Sequence, residues 1–237
     1  MLHLSAQAAT VQVAVASNFA APMKLIAQAF EKDTGIKAIL VFGSTGQFYV
    51  QIRHGAPYDV LLSADEITPE KLKQEGLGVE GSNFTYAVGR LVLWSKTPGF
   101  VDQSGLILRS DRFRKIAIAN PKLAPYGAAA LQTLDKLGLR EQVATRLIEG
   151  ANISQTFQYV DSENASIGFI ALSQVMENGK FREGSAWLVP QHFHLPIRQV
   201  GILLKRGETN RSASALLKYL QGPKAREVIK SFGYELP

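Results

Sequence analysis

The stretch VQVAVASNFAAPMKLIAQAFEKDTGIKAILVFGSTGQ, residues 11–47, decides the fold class. Val11 to Ala16 is a short run of small and β-branched residues, the composition of a strand covered on both faces. Ala20 to Lys32 repeats apolar residues at helical spacing, and Lys37 to Phe42 is extended and apolar again. Strand, helix and strand with such short connections predict parallel strands joined by a crossover helix. Downstream the alternation continues: Gly46 to His54 reads as a helix, Tyr58 to Leu62 as a strand, and Thr68 to Gln74 as a helix opened by Thr68-Pro69. The class is therefore α/β, with a mostly parallel sheet flanked by helices.

Two longer β-rich segments, Thr85 to Ser95 and Ile197 to Leu204, bracket a second set of elements. That set comprises strands at Ile116 to Ala119, Ile148 to Ala151 and Ile167 to Ala171, with helices after Tyr126, from Leu139 to Leu147, and near Ser154 to Tyr159. The chain closes with two helices within Asn210 to Phe232, parted by Gly222-Pro223. This pattern predicts two lobes: residues 9–86 plus 198–237 form a discontinuous first lobe, and residues 87–197 form an inserted second one. Two crossings between lobes imply a hinge and an interlobe cleft.

The 237 residues carry 26 Lys and Arg against 20 Asp and Glu, a net charge of +6, and no cysteine. Thiol catalysis, disulfides and Cys-ligated metals are excluded by the last count. Basic residues are scattered in short groups among acids, without the dense stripe that nucleic acid requires. No run approaches the ~18–20 apolar residues of a membrane span. Ala6-Gln7-Ala8 has the A-x-A form of a signal-peptidase site, so residues 1–8 read as the remnant of a secretory signal, with a tail of no significance as the alternative.

The chemistry lies at four strand-to-helix junctions: Ala16-Ser17-Asn18, Phe42-Gly43-Ser44-Thr45-Gly46, Asn120-Pro121 with Ala124-Pro125-Tyr126-Gly127, and Ala151-Asn152-Ile153-Ser154. In doubly wound sheets ligands sit beyond the carboxyl ends of strands, where helix N-termini present unpaired N–H groups and partial positive charge. Each junction alone is an ordinary cap or turn. Together they lack Lys, Arg, His, Asp and Glu, which suits a fully ionised oxyanion held by dipoles and hydroxyls and disfavours a ligand that must donate a proton. No acid, base or nucleophile is positioned there, so an enzyme is not expected. Asp65-Glu66 reads as helix N-terminal charge, and His192-x-His194 lacks a third ligand for a metal.

The run Gly55-Ala56-Pro57-Tyr58-Asp59-Val60 leading to Ser63-Ala64-Asp65, together with Pro125-Tyr126-Gly127, Ile167-Gly168-Phe169 and Gln221-Gly222-Pro223, resembles the molybdate-binding proteins that serve ABC importers. The resemblance covers nearly the whole chain and implies a two-lobed periplasmic-binding-protein-like fold with the ligand in the interlobe cleft. It implies oxyanion contacts from Ser17 with Asn18 beside it, Thr45 with Ser44 adjacent, Tyr126 through its hydroxyl and backbone, and the Ile153 backbone. Some relatives place the tyrosine where this chain has Ala171. The implied ligand is molybdate or tungstate without any cofactor or cation site; the implied partner is an ABC permease and the location periplasmic or extracytoplasmic, with a monomer as the default for such a carrier. The alternatives are another tetrahedral oxyanion such as sulfate or chromate, an enzyme acting on a phosphorylated substrate, and a cytoplasmic oxyanion sensor.

Overall fold

The computed structural model describes residues 9–237; the expected signal remnant over residues 1–8 lies outside the described residues. The strands are β1 (Thr10–Ala16), β2 (Lys37–Gly43), β3 (Val60–Ser63), β4 (Phe84–Gly89), β5 (Leu91–Ser95) and β6 (Ile116–Ala119), then β7 (Leu147–Gly150), β8 (Ile167–Ala171), β9 (Met176–Glu177), β10 (Lys180–Phe181), β11 (Ser185–Leu188) and β12 (Ile197–Leu203). The helices are α1 (Ala20–Thr34), α2 (Thr45–Arg53), α3 (Ile67–Gln74), α4 (Pro125–Lys136), α5 (Arg140–Val143), α6 (Ile153–Asp161), α7 (Arg211–Leu220) and α8 (Pro223–Ser231).

Two five-stranded sheets organise the chain, ordered β2-β1-β3-β12-β4 and β11-β5-β8-β6-β7. In the first, β1 is parallel to β2 and β3, while β12 runs antiparallel to β3 and β4. In the second, β6 is parallel to β7 and β8, while β5 runs antiparallel to β8 and β11. The uniform apolar character of β1 follows from cover on both faces. Val11, Val13 and Val15 pack with Phe19, Met23, Ile26 and Leu216, whereas Ala14 packs with Phe48, Ile52 and Leu61. The same holds for β6, where Ile116 and Ile118 join Tyr126 and Leu134 on one side and Ala117 joins Trp94 and Val160 on the other.

Two elements differ from the sequence reading. Thr85 to Ser95 is two strands in different sheets, because the chain leaves the first sheet at Gly89 and enters the second at Leu91. The helix expected over Leu139 to Leu147 is reduced to α5 and a 3-10 turn at Ala144–Arg146. Pairing of Leu147 with Ile116 draws that residue into β7, so tertiary pairing overrides local helix propensity.

The family-marker motif is largely architectural. Asp59, 5% exposed, accepts hydrogen bonds from Gln12 N at 2.8 Å, Asn210 Nδ2 at 3.1 Å and Arg206 Nη1 at 3.2 Å, tying β1 to the segment after β12. Asp65 accepts from Thr68 N at 2.7 Å at the start of α3. Burial pushes its carboxyl above the usual value, against the opposing hydrogen bonds from Thr68.

The chain returns to the first sheet through residues 189–196. There His194 is buried, its Nδ1 lies 2.7 Å from Leu195 O, and its Nε2 has no partner among the described residues. Burial lowers its pKa below 6.5, and the positive charges of Arg90 and Lys136 act in the same direction. The folded protein therefore resists a proton that the unfolded chain accepts. Stability is expected to be unaffected by this group above pH 6.5 and to fall below it, by at most about 1.4 kcal/mol per pH unit, until the lower folded value is passed. Chemical denaturation of His194→Asn between pH 7.5 and 5 should give a flatter profile than the native sequence; parallel profiles would rule out His194 as the titrating group.

Candidate functional site

All four junctions meet at one small cavity of about 10 Å³, enough to admit a water-sized sphere. It is lined by Ala16, Ser17 and Asn18, by Gly43, Ser44 and Thr45 with Ala64, by Ala124, Pro125 and Tyr126, and by Ile153. Every sequence-predicted site residue is thus brought to one place, and Ala171, buried in the core of the second sheet, is not among them. Each is buried: Ser17 is 6% exposed, Asn18 3%, Thr45 1%, Tyr126 2% and Ile153 3%. Among the described residues, no charged residue lines the cavity.

Local capping decides which N–H groups are left over. At α2, Ser44 and Gln47 form a reciprocal capping box that satisfies Gln47 N, while Gly46 N donates to Leu123 O at 2.9 Å. At α6, Asn152 Oδ1 accepts from Ser154 N and Gln155 N, both at 3.0 Å. At α4 no side chain caps the helix, and Pro125 at its first position has no N–H to offer. The donors that remain at the three helix starts belong to Thr45, Tyr126 and Ile153. Thr45 Oγ1 accepts from Ala64 N at 3.0 Å, which leaves its own proton free to donate into the cavity.

The geometry around two of these residues constrains what they can offer. The Asn18 side-chain amide is already committed, donating to Gln199 Oε1 at 2.7 Å and to Tyr234 OH at 2.9 Å, so Asn18 faces the cavity without a free side-chain donor. The Tyr126 hydroxyl lies against Gly89, where a Cβ would come within 2.1 Å of it, and Gly89 does not line the cavity. That oxygen stands near Asn18 and Tyr234 and has no hydrogen-bond partner among the described residues. Burial raises the Tyr126 phenol well above 10 and pushes Tyr234 up to about 12, so both remain protonated at physiological pH. Tyr126 thus reaches from the cavity lining to Gly89 at the β4–β5 crossing. Gln199, Tyr234 and Ser173, which support this site, carry no local sequence signal; they come together only through the tertiary fold.

A larger groove of about 530 Å³ adjoins the cavity and shares Ala64, Ala124 and Pro125 with it. Asp65 and Glu66 line that groove together with Lys71, Lys122 and Arg198. Its size exceeds that of the cavity, but its charges are mixed, two carboxylates among three cations with Arg198 paired to Glu66 at 3.6 Å, whereas the residues described around the small cavity carry no charge.

Residues 11–235 match the model of a family described as bacterial extracellular solute-binding proteins. The molybdate-binding protein ModA of Azotobacter vinelandii is 58% identical over 236 residues, covering 100% of this chain and 94% of that protein. The ModA protein of Rhodobacter capsulatus is 47% identical over 233 residues, covering 98% and 91%. Among solved structures, a periplasmic molybdate-binding protein of Azotobacter vinelandii superposes with a TM-score of 0.93 at 40% identity, over 96% of this chain and 99% of that one. The sulfate-binding protein SubI of Mycobacterium tuberculosis, at 12% identity and a TM-score of 0.78, shares the fold alone. With the fold, the cavity and this similarity taken together, the chain belongs to the bacterial extracellular solute-binding proteins.

Proposed function

We propose that this chain is the substrate-binding component of a molybdate ABC importer, which captures molybdate, and also tungstate, in the four-junction cavity. The single observation that carries the reading is the convergence of Ser17, Asn18, Thr45, Tyr126 and Ile153 on one small, uncharged, donor-lined space. A dianion is held there by the hydroxyls of Ser17 and Thr45 and by N–H groups at the starts of α2, α4 and α6, helped by their helix dipoles. Phosphate, which carries a proton near neutral pH, lacks an acceptor in such a shell; sulfate is smaller, and a shell spread to fit molybdate leaves its fixed donors too far from it. The protein performs no chemistry.

In this reading residues 9–86 with 198–237, and residues 87–197, act as two lobes that close over the anion in the periplasm. The ligand's greater affinity for the closed form shifts the population that the permease reads. The carrier works as a monomer. Calorimetric titration with molybdate, tungstate, sulfate and phosphate in moderate salt, which screens nonspecific attraction to the +6 chain, tests the proposal. One-to-one binding of the first two with the last two silent is expected. Preference for sulfate or phosphate would overturn the assigned specificity, and turnover of an oxyanion ester would overturn the carrier role.

A further inference from the structure

We infer that Ser154 and Ser173 form a hydroxyl latch across the two halves of the molecule, gripping the Ser17–Asn18 turn and setting how long the anion stays bound; the inference rests on the carrier reading above. Successive carbonyls of that turn each accept a hydroxyl from the half built on the second sheet. Ser154 Oγ, in the first turn of α6, donates to Ser17 O at 3.3 Å, and Ser173 Oγ, in the turn after β8, donates to Asn18 O at 2.8 Å. The two latch segments are braced together, because Gln174 Nε2 donates to Ile153 O at 3.0 Å.

The same turn is held from its own half by different bonds. Asn18 Nδ2 donates to Gln199 Oε1 in β12 and to the Tyr234 hydroxyl near the C-terminus, whose oxygen also lies 2.9 Å from Asn18 O. A register shift between Gln199 and Val200, against β4, accompanies the placement of this glutamine, which is fully buried. When the halves part, the bonds to Gln199 and Tyr234 travel with the turn, and the bonds to Ser154 and Ser173 break. Ser154 is the neighbour of Ile153, and the gripped turn carries Ser17, so the latch closes one residue away from proposed anion donors on both sides of the cavity.

A latch made only in the closed form acts on release and leaves capture unchanged. Ser173→Ala removes both bonds that Ser173 makes across the halves, the one to Asn18 O and the one it accepts from the Tyr234 hydroxyl at 3.1 Å, while Asn18 O keeps the Tyr234 hydroxyl at 2.9 Å and is not orphaned. Stopped-flow fluorescence with molybdate is expected to give a koff about five- to tenfold faster for Ser173→Ala, a smaller increase for Ser154→Ala with its longer bond, and kon within about twofold. The melting temperature of the ligand-free variants should stay at the native value. Since the chain has no cysteine, labels on Lys32→Cys and Gln142→Cys, both exposed, report the separation of the halves directly. Ser173→Ala should shift that distance distribution toward longer values.

An unchanged koff together with an unchanged distance distribution overturns the latch while leaving the carrier reading intact. Equal effects on kon and on melting temperature also overturn it, by assigning the serines a merely structural role. If the native chain does not bind molybdate at all, the carrier reading falls, and the label distances alone decide whether the serines hold the halves together.

Discussion

Replacing both Ser17 and Thr45 by alanine is expected to weaken molybdate binding by about two to four orders of magnitude. Each hydroxyl lost from a charged ligand costs about 1.5–3 kcal/mol, and two that share one ligand need not add. The Thr45 position carries a second cost. Its Oγ1 accepts the buried Ala64 N–H at 3.0 Å, so Thr45→Ala strands that donor and lowers stability by about 1–3 kcal/mol as well. Thr45→Ser keeps the oxygen and should retain both affinity within a few fold and native stability. Calorimetric titration and thermal melting of the single, double and serine variants separate the two effects. A double variant that binds molybdate with native affinity would remove the junction hydroxyls from the site altogether.

Much of this arrangement is legible in the chain because it is local. The apolar runs at Val11 to Ala16 and Ile116 to Ala119 announce strands covered on both faces, and Ser44, Asn152 and Pro125 announce helix starts. The residues that follow those signals supply the cavity. What the chain does not announce depends on contacts between distant segments. Nothing near Asn18 tells that Gln199 and Tyr234, separated from it by 181 and 216 positions, will take its side-chain amide. The helix expected at Leu139 to Leu147 fails for the same reason, since the competing strand is specified by Ile116, far upstream. Orientation is the third gap. Tyr126 stands at the head of α4, but where its hydroxyl lies depends on the space that Gly89 leaves at the crossing between sheets.

That space supplies the second large effect. Gly89→Ala is expected to destabilise the protein by about 1–3 kcal/mol and to lower molybdate affinity, because its Cβ would lie 2.1 Å from the Tyr126 hydroxyl oxygen, 3.0 Å from Cζ and 3.2 Å from Gln199 Nε2. The ring cannot swing away, since Tyr126 is 2% exposed and packed in the core of the second sheet. The strain passes instead to the start of α4, where Tyr126 lines the cavity. Tyr126→Phe alone removes a buried hydroxyl that has no hydrogen-bond partner among the described residues, so it should leave affinity within about twofold and raise stability by up to about 1 kcal/mol. Combining the two should recover most of what Gly89→Ala loses, because the worst overlap is with the oxygen that phenylalanine lacks. Denaturant melts and titrations of the four proteins complete the cycle. A tenfold loss of affinity in Tyr126→Phe alone would return the hydroxyl to the anion's shell. Absence of rescue in the double variant would place the Gly89 constraint on Gln199 instead, the next nearest side chain across the crossing and the partner of Asn18.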